Sequence, residues 1–429
     1  MKITQQDKEE IISIIKTEVV PAIGCTEPIA VALAVAKAKE TLGSLPKQIN
    51  VRLSANVLKN AMGVGIPGTG MIGLPIAIAL GAIGGKSEYQ LEVLRDCTPE
   101  TVEQGKKFID EKRISIAQKK DTEQKLYIEI SCQNGDDSVK VIIAREHTHF
   151  ALRQKNNDII LDTPVAGNAQ VQNQHNVELT LRKVYDFAME TPIEELEFIL
   201  ESAEVNKKVA ITSLHGEYGH SLGKTIFHQP VEQFFGNGIY SKILSYTAAA
   251  CDARMAGAKI PVMCNSGSGN QGISATLPVL VYAEERLKSR EQLIRALILS
   301  NLTVIYIKQH FGRLSALCGC VVAATGSSCG ITYLMDGDYE QICYAVQNMV
   351  ANITGMICDG AKPSCALKIA TGASTAVLSA MLAIENKSVS SVEGIIDQDV
   401  DKTIRNLTAI GTLGMNQTDK LVLDIMTQK

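Results

Sequence analysis

The 429-residue chain has no tryptophan and only 8 phenylalanines and 11 tyrosines. Its core must therefore be filled by Ala, Val, Ile, Leu and Met, which suits closely packed helices better than a β-sandwich. Excess charge is also missing: 42 Lys and Arg face 46 Asp and Glu, a net of −4. That balance argues against nucleic acid or an anionic membrane as the main partner. The longest apolar stretch, Met71 to Ile83, is too short to cross a bilayer and is broken by Gly73 and Pro75. It reads as a buried core helix. The opening Met-Lys-Ile-Thr-Gln-Gln-Asp-Lys-Glu-Glu is polar and starts a helix rather than a leader. No repeat of fixed period and no low-complexity tract is present. The expectation is a soluble, cytoplasmic protein of about two to three domains, or one two-lobed body. The sequence does not specify an oligomeric state, and a homo-oligomer is compatible with it.

What the chain does have is eleven cysteines. In a reducing cytosol these remain thiols or metal ligands. Cys358 and Cys365 bracket Cys-Asp-Gly-Ala-Lys-Pro-Ser-Cys, forty residues after Cys318 in Ala-Leu-Cys-Gly-Cys. Their spacing is neither that of a ferredoxin nor that of a zinc CxxC pair. Gly360 and Pro363 make the turn tight enough for both sulfurs to converge. Three thiolates can hold iron and leave one position open. The plain alternative is buried cysteine packed as a small hydrophobe.

Cys25 lies in Gly-Cys-Thr-Glu-Pro. Pro28 suits the first turn of a helix, Thr26 is a candidate N-cap, and Ile29 to Leu42 continues the helix. Cys25 would then sit beside a helix N-terminus, whose partial positive charge stabilises a thiolate. A core cysteine between two helices is the competing reading.

Residues 4–17 form an amphipathic helix. Gln48 to Ser54, Lys125 to Ser131, Ser138 to Ala144 and Asp158 to Leu161 alternate as strands, and Asn134-Gly135-Asp136-Asp137 makes a hairpin turn. After Thr191-Pro192 helical patterns follow one another, with Ala366 to Ile384 a clear case. The predicted fold class is an α+β N-terminal lobe, residues 1–190, followed by a mainly α-helical lobe, residues 191–429. The first lobe carries Cys25 and a glycine-rich loop and the second the late cysteines.

Two loops are dense in small residues. Lys59 to Gly70 is glycine-rich, and its Gly63–Gly70 part matches neither a Walker loop nor a dinucleotide fingerprint. It could cradle an anion or be a plain turn. Asn265 to Gly272 offers short donors ahead of a helix at Ile273, an arrangement that suits a carboxylate. His147 and His149 read as a polar strand end rather than a metal pair, and His215 and His220 as a solvated loop.

Taken together these motifs resemble the L-cysteine desulfidase family. The resemblance rests on Pro21 to Pro28, Lys59-Asn60 to Thr69, Cys251-Asp252-Ala253-Arg254-Met255, Asn265 to Gly272 and the late cysteine trio, and it spans nearly the whole chain. That family is related to the α subunit or domain of bacterial iron–sulfur L-serine dehydratases. The resemblance implies a [4Fe–4S] enzyme, independent of pyridoxal phosphate, that splits L-cysteine to sulfide, ammonia and pyruvate. By position Cys318, Cys358 and Cys365 match the cluster ligands, with Cys320 as the alternative to Cys318, and Cys25 matches the base that takes the α-proton. Arg254, Asn265, Ser266, Gly267 and Ser268 are the candidates for gripping the substrate carboxylate.

Some serine dehydratases end in a cysteine that can cap the open iron, whereas here the last cysteine is Cys365. No separate regulatory domain is evident either. Both features favour the desulfidase reading over serine dehydration by the same cluster. A non-catalytic cysteine-binding or redox-sensing protein and a zinc enzyme stand as readings from other classes.

Overall fold

The computed structural model describes residues 3–122, 124–163, 177–228, 236–311 and 315–428. The N-terminal half mixes helices with nearly all the strands, and the C-terminal half is almost wholly helical. Helix α1 (Gln5–Glu18) opens on a capping box: the Thr4 hydroxyl accepts the Asp7 N–H, and the Asp7 carboxylate accepts the Thr4 N–H. Its buried Ile11, Ile14 and Ile15 pack into the core of the C-terminal helices, not against the large sheet. Strand β1 (Pro21–Ile23) follows, and helix α2 runs over Thr26–Leu42.

The large sheet holds β2 (Gln48–Leu53), β3 (Ile114–Gln118), β4 (Tyr127–Asn134), β5 (Asp137–Ala144), β6 (Phe150–Lys155) and β7 (Asp158–Asp162). Their order is β3-β2-β4-β5-β6-β7, antiparallel except for the β2–β3 pair. The predicted hairpin joins β4 to β5, with Gly135 at φ 63° as its left-handed residue. β3 and β6 lie outside the expected strands: Ile114 and Ile116 alternate in β3 over only five residues, and the second half of β6 is polar. Helix α2 lies on the sheet, and its alanines let it come close. Helix α3 (Ala55–Ala61) takes up Lys59 and Asn60, which the sequence places in a loop. Helix α4 (Leu74–Ile83) is the predicted core helix, crossing so near to α2 that a Cβ on Gly81 would stand 2.6 Å from the Ala32 carbonyl oxygen. Helix α5 (Pro99–Asp110) covers it from outside.

The second half contains α6 (Leu181–Glu190), α7 (Ile193–Leu196), α8 (Leu200–His215), α9 (Leu222–Phe227) and α10 (Ile239–Met255). Then come β8 (Pro261–Met263), α11 (Gly269–Glu285), α12 (Arg290–Phe311), α13 (Gly319–Leu334), α14 (Tyr339–Ile353), α15 (Cys365–Ile384), α16 (Val400–Ala409) and α17 (Asn416–Thr427). Helix α13 is central, packed against α11, α12, α14 and α15. Glycine makes this possible at Gly326, where a Cβ would lie 2.4 Å from the Ser300 carbonyl oxygen. Helix α15 is long and apolar enough to cross a bilayer by length and composition, yet one face, including Ala366, Ile369, Ala373, Ala376 and Ala380, is buried within the fold. No other described helix passes that test.

Strand β8, in a region with no expected strand, pairs antiparallel with β1. That pairing brings the chain just before Cys25 alongside the chain just before the Asn265 loop.

Candidate active site

One compact apolar cluster holds Cys25, Val64, Cys251, Met255, Cys320, Ala366 and Ile369, with Cys318 and Cys365 packed against it. The site is thus assembled from the start of α2, the end of α10, the start of α13 and the start of α15.

Cys25 is the N-cap of α2, in extended conformation, and the helix starts at Thr26 rather than beyond it. Thr26 does not cap because its hydroxyl is used elsewhere, 3.0 Å from the Gly267 carbonyl oxygen and 3.1 Å from Glu27 Oε2. The expected stabilised thiolate is not what this environment favours. Burial, followed by the neighbouring Glu27 carboxylate, pushes the Cys25 thiol well above its ordinary range, and the Arg254 guanidinium offsets only part of this. The thiol lies 3.1 Å from Glu27 Oε2 and donates a hydrogen bond to that carboxylate.

Glu27 is itself buried and held on all sides. Asn60 Nδ2 donates to Oε1 at 3.1 Å, and His147 Nε2 stands 4.0 Å from the same oxygen. Burial works against its charge, but His147, the Cys25 thiol, its own backbone N–H and Arg254 together hold the carboxyl below its ordinary range. His147 is therefore a buried neighbour of the site and not a polar strand end, while His149 bonds the Ala144 carbonyl nearby. His215 and His220 are exposed, as expected.

Arg254 comes from the last turn of α10 and is 4% exposed. Its Nη1 donates to Asn270 Oδ1 at 3.0 Å, and among the described residues its Nε has no partner. Among the described residues no carboxylate comes within salt-bridge distance of it. Asn270 lies within the predicted Asn265–Gly272 loop, beyond the candidates singled out in it; its Oδ1 also faces the Cys251 thiol at 3.6 Å and its Nδ2 the Met255 sulfur. Its neighbour Gln271 is buried, with Oε1 unpartnered among the described residues, and its side chain packs beside Gly319, next to Cys318.

The loop residues play different parts. Asn265 Nδ2 bonds Asn301, and the Ser266 hydroxyl bonds Asn265 Oδ1 at 2.8 Å, so both side chains are committed to holding the loop. Ser266 and Gly267 take the left-handed region with φ 48° and 77°. Ser268 is the N-cap of α11, which begins at Gly269 instead of Ile273. The open first-turn N–H groups of α11 lie beside Arg254. The Gly63–Gly70 segment, by contrast, bonds back to Met255 and Gly257, serving to dock α10.

The late cysteines converge through a short bridge. Leu317 pairs with Ile357, with the Cys318 N–H on the Met356 carbonyl and the Cys358 N–H on the Ala316 carbonyl. Cys365 is the first residue of α15, its thiol 3.6 Å from the Gly360 carbonyl oxygen. Burial, with the charge of Cys318 added, pushes the Cys358 thiol up to about 11 and the Cys365 thiol up as well. Cys318 is drawn down to about 7, first by its hydrogen bond from Cys320. Lys368, bonded to the Ile357 carbonyl and to Asp359, adds positive charge beside it. The Cys320 sulfur lies 3.0 Å from Met356 Sδ. Among the described residues no three Cys, His, Asp or Glu side chains are arranged to grip a single metal ion. The donor chemistry suits an iron–sulfur cluster, whose cysteines each bind a different iron: three soft sulfurs, one predisposed to ionise, with lysine beside them.

Lys59 of α3 supports this loop from the N-terminal half. Fully buried, it donates to the Cys358 carbonyl at 3.1 Å and pairs with Asp419 of α17, while Asn56 bonds the same carboxylate at 2.6 Å.

The chain has relatives along its whole length. It is 65% identical to the UPF0597 protein of Bacteroides fragilis over 426 residues, covering 99% of both chains. It is 54% identical over 427 residues to the UPF0597 protein of Porphyromonas gingivalis, covering 98% of this chain and 99% of the other. With the UPF0597 protein of Shewanella pealeana it shares 44% over 422 residues, 97% of each. The family model of the serine dehydratase alpha chain matches residues 88–424, which include Arg254 and all three late cysteines and leave Cys25 and Glu27 outside. On that match the chain belongs to the serine dehydratase alpha chain family.

Proposed function

We propose that this protein is an iron–sulfur L-cysteine desulfidase, a lyase that eliminates sulfide from L-cysteine and leaves ammonia and pyruvate. The family supports a lyase or dehydratase role. The observation that carries the finer reading is the gathering of Cys25 and its Glu27 partner, Arg254, and the late cysteines in and around one buried cluster. A binding or sensing protein would need the ligand sulfurs but no proton acceptor facing them.

Cys318, Cys358 and Cys365 would hold a [4Fe–4S] cluster, with Cys320 donating a hydrogen bond to Cys318. When bound, such a cluster supplies a Lewis-acidic iron for the substrate's β-sulfur. A soft sulfur suits iron better than a hard hydroxyl, which favours cysteine over serine. Arg254, buried without a carboxylate of its own, receives the substrate carboxylate together with the free N–H groups of α11. Gln271 Oε1, an acceptor with no partner, is available to the ammonium group. Cys25 takes the α-proton. The aminoacrylate product tautomerises and hydrolyses in water without further help. The substrate in this reading is a small molecule.

The test is to purify the protein without oxygen and assay sulfide and pyruvate from L-cysteine beside L-serine. Sulfide release with cysteine preferred supports the reading. Preference for serine would make it a dehydratase, and no product from either in an iron-loaded protein would sink both.

A further inference from the structure

We propose that Glu27 is the proton acceptor behind Cys25, so that the Cys25 thiol passes its proton to Glu27 as its sulfur takes the α-proton of the substrate. This rests on the reading of Cys25 as the α-proton base and adds the group that lets it act. The geometry is specific. Cys25 is 3% exposed and its sulfur lies 3.1 Å from Glu27 Oε2, while Asn60 fixes the other oxygen at 3.1 Å. Glu27 occupies the first turn of α2, where unpaired N–H groups favour a carboxylate. A thiol in this setting cannot wait as a thiolate, because burial and the adjacent carboxylate both oppose its charge.

The step balances. The substrate C–H bond breaks and an S–H bond forms at Cys25; the original Cys25 S–H bond breaks and an O–H bond forms at Glu27. The C–H electron pair becomes the new double bond, and the C–S pair leaves with sulfide. No oxidant or reductant is needed, and Glu27 returns its proton to water after the product departs.

Glu27 acts through Cys25 and is in that sense a positioning residue, so its test needs a readout that mere structural support would not move. The titratable and charged groups facing it are Cys25 from its own segment, His147 from the loop after β5, and Arg254 and Cys264 from the second lobe. With Glu27 held below its ordinary range, the acceptor is available throughout the neutral region and kcat should be level there. Cys25 acting alone would instead give a kcat climbing about tenfold per pH unit toward its raised titration.

The experiment compares iron-loaded parent, E27Q and E27D. It reads kcat for pyruvate from L-cysteine between about pH 6 and 9, the span where a general base normally works. It also reads the rate at which iodoacetamide labels Cys25, resolved by peptide mass spectrometry. The expected result has opposite signs: E27Q labels faster at neutral pH, because a repelling charge is gone, yet its kcat falls by about 100-fold or more. E27D should lie between. An E27Q kcat equal to or above that of the parent, or labelling of Cys25 that E27Q leaves unchanged, would overturn the proposal. If E27Q does not retain iron, E27D decides, a parent-level kcat overturning the proposal and a loss of about tenfold supporting it. If the parent itself releases no product, the desulfidase reading fails separately, and the labelling comparison still decides whether Cys25 shares its proton with Glu27.

Discussion

Asp419→Asn should cost this protein more than any substitution in its largely exposed C-terminal helix has a right to. Lys59 is 1% exposed, and its ammonium has two partners, the Cys358 carbonyl and the Asp419 carboxylate. Removing one half of a buried ion pair leaves a stranded charge and costs about 3–5 kcal/mol. The Asp419 side chain is 19% exposed, so water can replace part of what is lost, and the expected cost falls to about 2–4 kcal/mol. Losing the charged hydrogen bond from Asn56 is included in that figure. Urea unfolding of parent and D419N gives the difference directly, with an unchanged m-value as the sign that only stability has moved. The double variant K59M/D419L should lose less than D419N alone, since no charge is then stranded. Iron retention under dilution should weaken in D419N, because Lys59 anchors the carbonyl of a proposed ligand. A D419N stability within about 0.5 kcal/mol of the parent, the range of ordinary surface substitutions, would refute the reasoning.

Other expectations follow from the same geometry. Cys25→Ser should leave iron content unchanged and lower turnover by about 100-fold or more; a parent-like rate would move the base elsewhere. Arg254→Lys loses the forked donor set, and the KM for L-cysteine should rise about 10–100-fold, the value of one charge-assisted hydrogen bond; an unchanged KM would remove Arg254 from carboxylate binding. Asp252 is fully buried, its Oδ1 unpartnered and its Oδ2 accepting the Gly223 N–H, and burial pushes its carboxyl up to about 6. Its folded value lies above the unfolded one, so this contribution to stability is fully present below 3.8 and is lost as pH rises through about 6. Asp252→Asn, which imitates the neutral acid, should flatten the stability curve between those limits, and an unaltered slope would contradict the shift.

Much of the site was legible in the sequence because it is local. The Gly-Cys-Thr-Glu-Pro turn, the asparagine-rich loop and the Cys358–Cys365 turn each combine a helix start with small or conformationally special residues, and each lies at the site. What could not be read is what depends on contacts between distant segments. His147 is at the site because β5 delivers it against α2, and nothing in Glu-His-Thr-His-Phe specifies that. Glu27 was visible only as part of a motif; its partnership with Cys25 is a two-residue spacing whose meaning comes from burial. The helix-start argument for a Cys25 thiolate failed for the same reason, since desolvation and a neighbouring carboxylate outweigh a partial helix charge. Likewise α1 reads as a simple amphipathic helix, but its isoleucines serve the core of the far half, guided there by the β1–β8 pairing. β3 and β6 are hard to read because the alternation of Ile114 and Ile116 is too short to stand out and β6 ends in Arg153-Gln154-Lys155; neighbouring strands set their register.

The central claim, that Cys318, Cys358 and Cys365 hold the reactive iron, is tested most directly by iron and acid-labile sulfide analysis. The protein and its three single Cys→Ser variants would be prepared without oxygen. The account predicts about four of each per parent chain, as for a [4Fe–4S] cluster, falling sharply in every variant, with secondary structure kept. Zinc in place of iron, or full iron and sulfide in any of the three variants, would contradict it.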